Sequence, residues 1–158
     1  MATASMFEPD AGVAGADHSL RATDLLAWRR SMLQVEGSGP ASPADLDWLL
    51  DLAGGVRWPL LQSLRLHPDR TVALARPLDE LEALWRRHRR SSEPLQYLVG
   101  ICPWRDLELS VAPGVLIPRQ ETEQLAALAL ALAPISPAGS PLLWADLGTG
   151  SGCLALAL

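Results

Sequence analysis

The residues best equipped for chemistry lie late in the sequence: Asp146, then Gly148, Gly150 and Gly152 at alternate positions, with Thr149 and Ser151 between them. An apolar run over 142–145 stops at the acid, and an Ala/Leu run over 153–158 follows the last glycine. This order predicts a buried strand, a tight turn and a helix just begun. Glycines admit positive φ and let a ligand approach the backbone with no Cβ in the way. The new helix would turn free N–H groups and its positive dipole end towards that ligand. The spacing is G-x-G-x-G, not the G-x-G-x-x-G of a pyrophosphate turn. A carboxylate two residues before the first glycine is a poor neighbour for a diphosphate. It suits a ligand carrying an ammonium and a sulfonium, as S-adenosylmethionine does. An ordinary strand-to-helix turn in some other α/β protein is the plainer alternative, because short glycine motifs match by chance.

Such a turn needs elements to hold it, and the preceding chain supplies them. Residues 1–18 are rich in Ala, Gly and small polar side chains and read as a flexible N-terminus. Ser19 or Thr23 is placed to cap a first helix whose inner face carries Leu25, Trp28 and Met32. Gly37-Ser38-Gly39-Pro40 stops it. Ser42, Pro43 and Asp45 open a second helix with Leu46, Leu49, Leu50 and Ala53 inside. A short helix over 58–66 follows. A fourth begins after Pro77, buries Leu81 and Trp85, and ends in the basic turn Arg86-Arg87-His88-Arg89-Arg90. Residues 19–92 therefore read as a small all-α domain. The arginine cluster is either a docking patch for an anionic partner or a solvated helix end. The tryptophans sit at helical spacing and read as core.

Past a boundary at Ser92-Glu93-Pro94 the period changes. Residues 95–99 make one turn of helix. Residues 101–104 and 107–111 read as a hairpin across Arg105-Asp106, with Leu107, Leu109 and Val111 on the inner side. Val115 to Arg119 is extended before and after Pro118. An apolar helix over 121–133, acidic in its first turn, and a loop over 134–141 lead to the strand that ends at Asp146.

Composition narrows the classes. The chain has 158 residues and a formal charge of −5, so no global basic field for nucleic acid exists. All 13 basic residues are arginine, and the sequence contains neither Lys nor Asn. Cys102 and Cys153 stand at no metal-ligand spacing, which gives no zinc site and no disulfide framework and fits a reducing cytoplasm. The first residues lack the basic and apolar regions of a signal peptide. The longest apolar run, 125–133, is far short of the roughly 20 residues that span a bilayer.

Two stretches carry a family resemblance: EPLQYLVGICPWRDLELSVAPGVLIPRQETE at 93–123 and DLGTGSGCLALAL at 146–158. Together they resemble the glutamine methyltransferases that modify peptide chain release factors. The resemblance implies a small N-terminal helical bundle for substrate docking (19–92), a β-hairpin linker (93–113), and the first strand and helix of a class I Rossmann-like methyltransferase domain (114–158). It implies S-adenosylmethionine bound at Asp146, Gly148, Thr149, Gly150, Ser151 and Gly152. Trp104 and Arg119 would neighbour the substrate site. The IPRQETE segment has Gln120 where the family usually has Pro, which frees one backbone N–H and loosens the turn.

The reaction implied is methyl transfer from the sulfonium to the side-chain amide nitrogen of the glutamine in the Gly-Gly-Gln motif of a class 1 release factor. The partner would be that release factor, with no nucleic acid and no membrane, and the enzyme a cytoplasmic monomer. An amide nitrogen shares its lone pair with its carbonyl, so the enzyme must align it and accept its N–H hydrogens. The family does this with an Asn-Pro-Pro-Tyr motif, and these 158 residues hold no Asn. The chain is thus expected to be a fragment or truncated product that does not methylate alone. The competing expectations are a stand-alone helical docking module, a sister enzyme acting on a ribosomal-protein glutamine, and a nucleotide-binding dehydrogenase.

Overall fold

The computed structural model describes residues 18–133 and 143–158. Its first element is not a helix. Strand β1 (Ser19–Arg21) runs straight into helix α1 (Ala22–Met32) and pairs antiparallel with β2 (Thr71–Ala73), Leu20 opposite Val72. Ser19 lies in β1 and Thr23 within α1, so neither is the N-cap, and Arg21 takes that position without a side-chain bond. The expectation of an all-α unit is corrected by this ribbon. Its cause is local: Thr71 and Val72 are β-branched, and Val72 buries completely against the helices while its neighbours face out. Three-residue strands are too short to leave a periodic signal.

Helix α2 (Pro43–Leu52) begins as its sequence dictates. The Ser42 hydroxyl accepts the Asp45 N–H at 3.2 Å and Pro43 fills the first turn. Helix α3 (Trp58–Ser63) tightens into a 3-10 turn over Leu64–Leu66. Helix α4 (Leu78–Ser91) is the longest, and Ser92 ends it in the left-handed conformation. One core joins these elements: Leu25, Leu46, Leu49, Leu50, Leu81 and Trp85 are all sealed from solvent. The Trp85 indole N–H donates to the Met32 carbonyl at 2.8 Å, so its one polar atom is satisfied inside the core. Arg29 clasps Asp47 with two N–H donors, one at 2.9 Å, tying α1 to α2.

Helix α5 (Leu95–Val99) closes on Gly100, whose φ of 84° serves as a left-handed cap, and delivers the chain into β3 (Ile101–Trp104). Strand β4 (Leu107–Ser110) pairs with it, Cys102 opposite Leu109 and Trp104 opposite Leu107. The hairpin predicted from the alternation is present. Helices α6 (Thr122–Leu132) and α7 (Cys153–Ala157) pack on its inner face. Trp104, Leu109, Ala126 and Cys153 form a second core cluster, distinct from the first.

The strand expected before the glycines is absent where it is described. Residues 143–146 carry no strand, and Leu143 and Leu147 are 98% and 94% exposed. A strand exists through its ladder, and no described strand lies beside this segment to pair with it. Leu142 and the 134–141 loop lie outside the described residues, as does the N-terminal stretch before His18. Among the described residues, no helix is long and apolar enough to cross a membrane.

Candidate functional site

The 146–152 segment folds as a chain of glycine-permitted turns. Gly148, Gly150 and Gly152 all take positive φ, at 85°, 56° and 77°. Side chains at these positions would be strained, which is why this path needs three glycines. A Cβ on Gly148 would meet nothing within 4 Å, so that face of the backbone stands open. Two bonds fix the turn from within: Thr149 Oγ1 donates to the Asp146 carbonyl at 3.2 Å, and Gly152 N–H donates to the Thr149 carbonyl at 2.8 Å. Leu156 N–H then returns to the Gly152 carbonyl at 3.0 Å, and α7 begins.

Asp146 itself is only partly exposed. Its Oδ2 is buried and has no hydrogen-bond partner among the described residues. A buried carboxylate oxygen left unpaired is costly, so it marks a place where a cation or donor belongs. Beside it lies a mainly apolar cavity of about 550 Å³ whose walls include Trp144, Asp146, Leu147 and Leu154. An acid at the edge of an apolar hollow suits a cationic ligand with an apolar body. The carboxylate fits a cationic ligand in charge, and the open glycine backbone fits a ligand approaching closely.

Cys153 anchors this turn to the hairpin. It is buried against Trp104, Leu109 and Ala126. The sequence signals neither its packing role nor the bond of the first-turn acid Glu123, whose Oε1 accepts the Arg105 N–H at 3.2 Å and fastens the start of α6 to the hairpin turn. Cys102, on the same inner face as Trp104, is also buried, and burial pushes its thiol above the ordinary 9.0, with the neighbouring Cys153 adding to the shift.

Trp104 and Arg119 are brought together, but through the backbone. The Trp104 indole N–H donates to the Arg119 carbonyl at 2.9 Å, while the ring is 1% exposed and the Arg119 side chain faces solvent. Trp104 is thus hairpin core, and neither residue lines the cavity at Asp146. The bond holds the extended 115–119 segment against the hairpin, helped by the Tyr97 hydroxyl, which donates to the Val115 carbonyl at 2.5 Å.

The arginine cluster resolves into separate jobs. Arg89 is buried, lies 6.0 Å from the centre of the Trp85 ring, and donates to the Gly39 and Pro40 carbonyls. A Cβ on Gly37 would stand 2.5 Å from the Arg89 carbonyl, so the 37–40 loop needs glycine to close over α4. Arg86 pairs with Glu82 and Arg87 with Glu93. Only Arg90 of the four is without a partner among the described residues. No group of three metal-ligating side chains occurs among them.

Comparison with known proteins places relatives beside this geometry. The chain is 48% identical over 139 residues to the release factor glutamine methyltransferase of Prochlorococcus marinus, a match covering 87% of this chain and 45% of that protein. It is 48% identical over 100 residues to the protein of that name from Thermosynechococcus vestitus, covering 63% of this chain and 33% of the relative. The Gloeobacter violaceus protein of the same name is 40% identical over 131 residues, covering 83% and 43%. The chain spans less than half the length of these relatives. No family model matches it, and no solved structure matches it.

Proposed function

We infer that this chain is part of a release factor glutamine methyltransferase, and we propose that its 146–152 turn holds S-adenosylmethionine for methylation of a release-factor glutamine. The observation that carries the proposal is the buried, unpaired Asp146 oxygen ahead of three left-handed glycines. When bound, S-adenosylmethionine supplies a methyl group on a positively charged sulfur. Asp146 offers that cation a carboxylate in a partly buried setting, where charge attraction is stronger than in water. Gly148, Gly150 and Gly152 let the cofactor lie against bare backbone, and Thr149 and Ser151 complete the turn. Trp104 and Arg119 act at one remove, by holding the extended 115–119 segment against the hairpin.

The acceptor is the side-chain amide of the glutamine in a Gly-Gly-Gln motif of a class 1 release factor. Its nitrogen becomes nucleophilic only when its N–H groups are held by acceptors, and these 158 residues carry no Asn-Pro-Pro-Tyr clamp to do it. The chain alone therefore binds at most cofactor and partner, and does not transfer the methyl group. Residues 19–92, with their own core, dock the release factor. Residues 93–113 form the linker, and residues 114–158 open a Rossmann-like domain whose first strand forms on pairing with further strands. The setting is the cytoplasm. The names of the relatives favour a release factor over a ribosomal protein as acceptor.

The test is a chimera in which this chain is joined to the part of the Prochlorococcus relative that it does not cover. The chimera methylates a release factor carrying Gly-Gly-Gln, and Asp146→Asn lowers kcat/KM at least about tenfold, the worth of roughly 1.4 kcal/mol of lost charge attraction. Methylation by the chimera that is indifferent to Asp146→Asn would overturn the role given to the acid. Methylation by the 158-residue chain alone would overturn the division of labour.

A further inference from the structure

Helix α2 has a second face that the methyl-transfer reading does not use. Ala44, Asp47, Trp48 and Asp51 follow one another at helical spacing on the side opposite Leu46, Leu49 and Leu50. Trp48 is 40% exposed, and Trp58, at the start of α3, is 53% exposed. The two indoles line a cavity of about 330 Å³ together with Ala44, Asp47 and Asp51. Four of the six tryptophans lie elsewhere, so a third of the chain's largest side chains meet water at one spot.

The charges around this cavity are unequal. Both oxygens of Asp47 are taken by Arg29. Asp51 Oδ2 accepts the Trp58 backbone N–H at 3.1 Å, which leaves Oδ1 without a partner among the described residues. Arg57 lines a second cavity of about 340 Å³, which Trp48 and Asp51 also border, with Pro59 and Pro103. The cavity between the two indoles is itself lined by carboxylates and aromatic rings and by no cation among the described residues, and Asp47 is already neutralised by Arg29. Indole faces attract cations, most strongly when a carboxylate is close and the site is partly shielded from water. A guanidinium is flat, weakly hydrated and able to stack and hydrogen-bond at once, so it suits this shape better than an ammonium.

We propose that Trp48, Trp58 and Asp51 form a receptor for an arginine side chain presented by a partner protein. The guanidinium stacks on an indole and donates to the free Asp51 oxygen, while its aliphatic stem covers the second ring and Ala44. The proposal does not depend on the chain being a methyltransferase, and it would stand if the cofactor turn bound nothing.

The test follows the indole N–H resonances of Trp48 and Trp58 in the whole chain by NMR, assigned through Trp→Phe variants. The probes are a capped glycine-flanked arginine peptide and its citrulline counterpart, which has the same shape without the charge. Both indoles shift saturably with the arginine peptide and not with citrulline. Asp51→Asn keeps an oxygen to accept the Trp58 N–H, so the fold and melting temperature hold, yet arginine affinity falls about fivefold to tenfold. Equal shifts with citrulline, unchanged affinity in Asp51→Asn, or no saturation by about 10 mM probe would each overturn it.

Discussion

Asp146 and Cys102 show how much a single buried group can report. The Asp146 oxygen stays unpaired inside a segment that is otherwise self-bonded, so a ligand cation is the natural complement to it. Cys102 titrates the other way from an acid that gains a partner. Burial, and then Cys153, raise its thiol above 9.0. The folded state thus holds this proton more tightly than the unfolded chain. That contribution to stability is complete below the ordinary thiol value and is lost as pH rises through the raised one. Thermal melts should therefore fall more steeply above about pH 9 for the natural chain than for Cys102→Ala, and the Cys102 thiol should alkylate more slowly than a free thiol at neutral pH. Equal slopes for the two chains would show that the buried thiol does not couple to folding.

The elements were legible in proportion to how much of their cause is local. Helix α2 was readable to the residue, because the Ser42 cap, Pro43 and the Leu46/Leu49/Leu50 stripe all act within ten residues. The hairpin was readable from its alternation and the change of period at Gly100. The β1–β2 ribbon was not, because its pairing joins residues about fifty apart and each strand is only three residues long. The strand before Asp146 was over-read for the converse reason. Its apolar run is real, but a strand is settled by partners, and the described residues offer none. Of the site, the glycine turn and its acid were visible as a motif. Trp104, expected as a neighbour of the substrate site, gives its indole N–H to the Arg119 carbonyl and its ring to the hairpin core. Trp104→Ala should cost about 3–5 kcal/mol of hairpin stability. Trp104→Phe should keep most of the packing and lose about 1 kcal/mol for the indole bond. Urea melts followed by fluorescence would distinguish the two. Gly152→Ala, at φ 77°, should cost about 1–2 kcal/mol and disorder the start of α7, seen as broadened Cys153 resonances.

Across the whole molecule the two core clusters imply two folding units. The first, from Ala22 to Leu95, contains nearly all of the fully sealed side chains. The second holds the hairpin, α6 and the glycine turn together with four buried residues. A core of four residues supplies little free energy, and Leu125, Leu128, Leu132, Leu143 and Leu147 beside it stay exposed. A polypeptide of residues 18–95 should therefore fold cooperatively with a melt close to that of the whole chain. Hydrogen exchange in the whole chain should be slowest in α2 and α4 and fastest in α7. Uniform protection across both units would contradict the division.

The most direct measurement is a calorimetric titration of the Prochlorococcus chimera with S-adenosylmethionine and, separately, with NAD. The account predicts saturable binding of S-adenosylmethionine, weakened at least about tenfold by Asp146→Asn, and no binding of NAD. Uptake of the dinucleotide with indifference to the sulfonium would contradict it.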